Sequence, residues 1–192
     1  MLRVIGGSHR SRRFDEVPSE KTRPTTDKNR EMIFNMLGQY FDGGRMLDLF
    51  AGSGAFGIEA LSRGIDHVDF VENFALAKRT IEGNINKLDM IDHSSIHLMD
   101  VFSFLDACKD TYHLIIADPP YALEPYEELL KRIVYGHLLA DGGIIVFEAD
   151  RNSALPEGFE NCMKYREKIS GNTKFAFYRM GDSQDRKSTR LN

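Results

Sequence analysis

Asp48 to Gly57 reads DLFAGSGAFG, and the fold turns on how that stretch is understood. The apolar run before it, Arg45 to Phe50, reads as a short buried strand. Gly52, Gly54 and Gly57 follow in the spacing G-x-G-x-x-G, and an amphipathic run continues through Leu61. This is a strand, a tight glycine turn and the start of a helix. Glycine lets the backbone come close to a ligand, and the first amides of a helix are unpaired donors. Alone, the motif points to a dinucleotide fold. Glu72, twenty residues beyond Gly52 at the end of the run His67 to Glu72, stands where a carboxylate would take two ribose hydroxyls.

Asp48 argues against a dinucleotide. An anion just before the turn is a poor neighbour for a pyrophosphate and a good one for a cation. Asp48, Glu72, Asp100, Asp118 and Glu148 each fall at or near the end of one of five successive apolar runs. In a parallel sheet these ends make one carboxyl edge, where ligands of open α/β sheets bind. A rim of carboxylates suits S-adenosylmethionine, whose sulfonium and amino group are positive. The competing reading is that such acids only cap the helices that follow them.

At 192 residues the chain has room for one α/β domain with a substantial core. It contains no run of 18 apolar residues and opens on no signal peptide, so a cytoplasmic protein without a membrane partner is expected. Cys108 and Cys162 stand far apart, and the six histidines are scattered, so no metal site is assigned. The formal net charge is −4, but residues 1–30 hold eight Lys/Arg against four Asp/Glu, a local balance of +4. A basic arm on an acidic body points to a polyanion gripped at one place, with Arg10, Arg12, Arg13 and Arg23 as candidate phosphate contacts. A solvated N-terminal segment would carry the same charge.

In chain order, Leu2 to Gly6 reads as a short strand and the loop to about Pro18 as a mobile segment. Pro24 to Asp27 signals a helix start, with Met32, Ile33, Met36, Leu37 and Tyr40 on its core face. Gly43 and Gly44 then break the chain, which places an N-terminal arm and helix in residues 1–42 and the main domain in residues 43–181. Strands and helices alternate from there, which predicts a largely parallel sheet. The helices span 74–88, 101–108 and 125–135, and the strands 96–99, 113–117 and 144–148. Two final strands, 161–169 and 174–179, are joined at Gly171-Asn172, a hairpin signal. Residues 182–192 are polar and patternless and read as a disordered tail.

Asp118 to Tyr121, DPPY, carries the chemistry. An exocyclic amino group on a base is a weak nucleophile because its lone pair is delocalised into the ring. Asp118 can accept a hydrogen bond from that group and the Pro119 carbonyl can accept from its other hydrogen, while Pro119 and Pro120 fix the turn. Tyr121 offers an aromatic face to an extruded base. A turn leaving a strand would also accommodate Asp-Pro-Pro-Tyr.

With these motifs in order, the chain resembles a known family. RVIGGSHRSRRF, RPTTDKNREMIFNML, DLFAGSGAFGIEALSRG, VEN, MDVFSFL and DPPY are similar to the bacterial 16S ribosomal RNA guanine-N2 methyltransferases of the RsmD type, from about Arg3 to Met180. The resemblance implies a Rossmann-like class I S-adenosylmethionine-dependent methyltransferase, α/β, with a seven-stranded mostly parallel sheet and an antiparallel C-terminal strand. It implies that Asp48, Phe50, Gly52 and Gly54 line the cofactor, that Glu72 and Asn73 meet its ribose, and that Asp100 and Val101 bracket its adenine. Asp118, Pro119, Pro120 and Tyr121 would hold guanine, and the arm arginines 16S ribosomal RNA, in a partly assembled small subunit, with the enzyme a monomer. One departure is Ser11, where a glycine is expected. The alternative function is methylation of adenine N6 or cytosine N4 in DNA.

Overall fold

The computed structural model describes residues 1–20 and 25–181. Arg23 and the tail at 182–192, both named above, lie outside them. The chain divides into two compact units, Met1–Phe104 and a second that begins at Leu105. The N-terminal arm and helix, residues 1–42 in the sequence reading, fall within the first unit.

In the first unit, β1 (Leu2–Arg3) pairs antiparallel with β2 (Arg13–Phe14), and α1 (Asp27–Met36) follows. Thr26 caps α1, its hydroxyl accepting from Asn29 N at 3.1 Å. The inward face of α1 is Ile33 and Phe34 with Asn29 and Arg30, whereas Tyr40 lies past the helix end and is 63% exposed. Next come β3 (Arg45–Leu49), α2 (Ala55–Ser62), β4 (His67–Glu72), α3 (Ala75–Lys87) and β5 (Ser94–Leu98), with α4 (Val101–Ala107) after them. β4 lies between β3 and β5 and is parallel to both. Met46, Leu47, Leu49, Val68, Phe70 and Val71 are buried on the strands, and Ile58, Ala60, Ile81 and Ile85 on the helices. Each larger apolar side chain of this set contributes about 1.5–3 kcal/mol when fully buried.

The second unit holds β6 (Tyr112–Ala117), α5 (Tyr126–Tyr135), β7 (Leu139–Asp150), β8 (Gly158–Phe159), β9 (Cys162–Ser170) and β10 (Thr173–Met180). Its strand order is β6-β7-β10-β9-β8, parallel for the first pair and antiparallel thereafter. α5 buries Tyr126, Leu129, Leu130 and Ile133, a spacing that puts all four on one helical face. The hairpin of β9 and β10 turns at Gly171-Asn172 as the sequence predicts, with Gly171 at φ 59°. β7 starts five residues earlier than its apolar run, because Leu139 pairs with Tyr112 before a register shift and Gly142 at φ 74° leads into the regular ladder. Among the described residues no helix is long and apolar enough to cross a membrane.

Candidate active site

The glycine turn after β3 is held from beneath. Asp48 is buried, and its Oδ2 accepts from Gly57 N at 3.0 Å, so the carboxylate ties the strand to the first turn of α2. Phe50, Gly52 and Gly54 all have positive φ (57°, 57° and 83°), which folds the turn into a concave backbone. Phe50 takes this conformation without being glycine, a local cost of about 1–3 kcal/mol that the surrounding fold imposes. Gly57 has a different purpose from ligand approach. A Cβ there would run into the Phe70 ring, so its absence lets α2 close on β4.

Glu72, at the end of β4, reaches back across this turn. Its Oε2 accepts from Gly52 N at 3.0 Å and its Oε1 from Phe74 N at 3.2 Å. The residue is half-buried, and each oxygen retains a lone pair that a hydroxyl could use. Asp100 is exposed and caps α4, with Oδ2 accepting from Ser103 N at 3.0 Å. Asp48 and Asp100 thus both serve helix starts, as the capping reading holds. Glu72 instead accepts from the glycine turn itself. Asn73 is exposed and Val101 buried. A concave turn of positive-φ residues braced by a carboxylate with acceptor capacity to spare fits the ribose and methionine parts of S-adenosylmethionine.

In the second unit Asp118 directly follows β6. Parallel pairing of Ala117 with Phe147 sets the next residues, Asp118 and Glu148, side by side, and their carboxyl groups share a hydrogen bond. Glu148 is 5% exposed, is paired on its other side with Phe175 of β10, and accepts at its backbone oxygen from the Tyr126 hydroxyl at 2.9 Å. Burial pushes the Asp118 carboxyl up to about 7, against a smaller downward pull from the Glu148 hydrogen bond. Burial also pushes Glu148 well above the usual carboxylate range, with the Asp118 charge adding to it. Each carboxyl disfavours ionisation of the other.

Pro119 is buried, Pro120 exposed, and Tyr121–Leu123 forms a single 3-10 turn closed by Leu123 N donating to Pro120 O at 3.0 Å. Tyr121 keeps 39% of its surface exposed and is hydrogen-bonded to Thr173. Glu148 counted in the sequence only as one of five strand-end acids. Its contact with Asp118 was available from the equal register of two apolar strands.

Residues 5–9 of the arm are tied to α2 by hydrogen bonds. Ile5 N donates to Glu59 Oε1 at 2.8 Å, His9 N to Ser62 Oγ at 2.9 Å, and the Ser62 hydroxyl donates to Gly6 O at 2.6 Å. Ser11, standing in the glycine position, adopts φ 70°, so the loop keeps the glycine conformation with a side chain that tolerates it poorly. Arg10, Arg12 and Arg13 are exposed, and Arg12 Nη2 also donates to Lys87 O at 2.9 Å. Arg30, counted with the basic run, is instead fully buried, donating to Arg3 O and Asp27.

The parallel strands with alternating helices, the antiparallel C-terminal strands, and the two strand-end motifs define a class I S-adenosylmethionine-dependent methyltransferase. Residues 2–179 match the family described as conserved hypothetical protein 95. The chain is 42% identical over 181 residues to YlbH of Bacillus subtilis, covering 93% of this chain and 98% of that protein. It is 31% identical over 177 residues to the ribosomal RNA small subunit methyltransferase D of Escherichia coli K12, covering 92% and 89%. The solved structure of yhhF from Escherichia coli superposes with a TM-score of 0.83 at 31% identity, covering 93% of this chain and 97% of that one. The chain belongs to this family, the RsmD methyltransferases.

Proposed function

We propose that this protein methylates the exocyclic N2 amino group of a guanine in 16S ribosomal RNA, acting as a monomer on a partly assembled small subunit. The observation that carries the reading is Asp118, an acceptor at the carboxyl end of β6, opening an Asp-Pro-Pro-Tyr turn whose Tyr121 remains open to solvent. The 31% identity to a small-subunit ribosomal RNA methyltransferase supports RNA as the substrate class, and the exposed Arg10, Arg12 and Arg13 supply charge for its phosphates.

S-adenosylmethionine, when bound, supplies a methyl group on a positively charged sulfur. Glu72 would accept from its ribose hydroxyls, and the turn of Phe50, Gly52 and Gly54 would lie against it. Asp118 accepts a hydrogen bond from the guanine amino group, which keeps the nitrogen lone pair from being wholly drawn into the ring. The Pro119 carbonyl accepts from the second hydrogen, and Tyr121 stacks on the base, an interaction worth on the order of 1–3 kcal/mol. Asp118 would take the proton that the amino nitrogen loses on methylation and pass it to water when product leaves.

The test is transfer of labelled methyl to small ribosomal subunits lacking their guanine-N2 methylation, with protein-free RNA and DNA alongside, followed by nucleoside analysis. Label in N2-methylguanosine is expected, with subunits preferred over free RNA. Label confined to N6-methyladenine or N4-methylcytosine of DNA would replace this reading by the DNA alternative. Asp118→Ala is expected to abolish transfer while leaving donor affinity within about threefold, since the donor is assigned to the glycine turn and Glu72 rather than to Asp118.

A further inference from the structure

Glu148 has no part in the chemistry just described, yet it is the residue against which Asp118 rests. It directly follows Phe147, the last β7 residue paired with β6, and is held by its pairing with Phe175 of β10 and by the Tyr126 hydroxyl on its backbone oxygen. One of its side-chain oxygens meets the Asp118 carboxyl. Its Oε2 is buried and receives no hydrogen bond from a donor group among the described residues. An ionised carboxylate in that place would leave a charged oxygen without a donor, a heavy penalty that a neutral carboxyl avoids. The groups of this unit that act on the same cluster are Tyr121, Glu124, Tyr126 and Asp150, all acidic or phenolic. Lys174 on β10 is turned to Ser153 O and Glu167.

We propose that Glu148 is a positioning residue whose neutral carboxyl donates a hydrogen bond to Asp118 and thereby fixes Asp118 as the charged acceptor for the substrate amino group. This rests on the reading of Asp118 given above. The arrangement solves a problem that a lone buried aspartate would face. Without a donor, Asp118 would take up a proton itself and lose its acceptor function; with neutral Glu148 beside it, the pair's single proton sits on the partner and the negative charge stays where the substrate binds. The raised ionisation range of both groups agrees with one proton held in common.

Two measurements on the full-length chain test it. In infrared difference spectra at pH 8, wild type is expected to show the C=O stretch of a protonated carboxyl that is missing from Glu148→Gln; its absence from wild type, or its persistence in the variant, overturns the proposal. This arm needs no substrate, so it decides proton sharing even if wild type transfers no methyl to RNA, a result that would instead sink the functional reading. In single-turnover transfer, Glu148→Ala is expected to lose about 100-fold in rate, as misplacement of a reacting group does, with donor affinity and melting temperature showing that the protein is folded. Glu148→Gln, whose amide donates in the same place, is expected to recover to within about tenfold of wild type. A Glu148→Ala enzyme at the wild-type rate, or a Glu148→Gln enzyme as slow as Glu148→Ala, overturns the positioning role.

Discussion

Asn84 of α3 closes a two-way pair of hydrogen bonds with the peptide of Asp15: Asp15 N donates to Oδ1 at 2.7 Å, and Nδ2 donates to Asp15 O at 2.9 Å. The same Nδ2 donates to Ser53 O at 3.0 Å, within the glycine turn. A single fully buried amide therefore joins the basic arm to the turn that shapes the donor site. The arm is part of the site's framework, and its arginines extend from a backbone tied to α2 and α3.

Asn84→Ala leaves a buried donor and acceptors unmet, at about 1–3 kcal/mol. In a chain of this size each kcal/mol lowers the melting temperature by about 2–4 °C. Affinity for S-adenosylmethionine is expected to fall together with affinity for RNA. Calorimetric titration of the two ligands checks this: weaker RNA binding alone would mean that the turn does not depend on the arm.

The acid limb of the rate profile should belong to Asp118. Its carboxyl is raised to about 7, so the charged acceptor is present above that pH and lost as pH falls through it. Single-turnover rates between pH 5.5 and pH 9 are expected to fall on the acid side. A flat profile would remove Asp118 from the proton-accepting role.

Stability should run the opposite way. The folded-state value of Asp118 lies above its unfolded value, so the native chain binds more protons between them, and the group's favourable contribution is lost as pH rises through about 7. Asp118→Asn removes that cost. Its melting temperature is expected to exceed that of wild type by a few degrees at pH 8, at about 2–4 °C per kcal/mol, and by less at pH 5. A gain that is equal at both pH values would show that the buried charge is not its source.

The sequence showed the alternation of strands and helices, because each apolar run ends on a turn signal and a polar residue; the hairpin at Gly171-Asn172 was legible for the same local reason. Less local features were hidden. Asn84 meets Asp15 from 69 positions away and Glu59 meets Ile5 from 54, and nothing in either neighbourhood marks the pairing. The loop through Ser8 reads as mobile because glycine, serine and arginine carry no apolar pattern, and its order comes from side chains on α2 and α3. Arg30 reads as one more surface cation, yet it is buried, with Phe14 under its guanidinium and Asp27 beside it. At the site, the motif residues could be named from spacing, whereas the contact of Asp118 with Glu148 required the register of β6 against β7.

Gly57 separates packing from ligand approach within the glycine motif. Its missing Cβ makes room for the Phe70 ring and for Val68, whose Cγ1 a Cβ would approach to 2.8 Å. Gly57→Ala is expected to destabilise by about 1–3 kcal/mol through overpacking, and Phe70→Leu in the same chain should recover part of that by freeing space. A double variant no more stable than Gly57→Ala alone would place the strain elsewhere in α2.

The arm arginines should act through charge. Removing one cation–phosphate pairing with a single-stranded RNA lowers the slope of log affinity against log salt by roughly 0.7. Arg10→Ala and Arg13→Ala, both on exposed side chains, are each expected to cut RNA affinity at low salt, reduce the slope by that amount, and leave S-adenosylmethionine binding unchanged. Arg12→Ala differs because Arg12 also donates to Lys87 O: it should lower the slope and, in addition, cost a small amount of thermal stability. RNA binding measured across a salt series distinguishes the cases. A weakening of affinity that persists at high salt would mean that the arginines read the RNA through its bases directly, and the electrostatic account of the arm would fail.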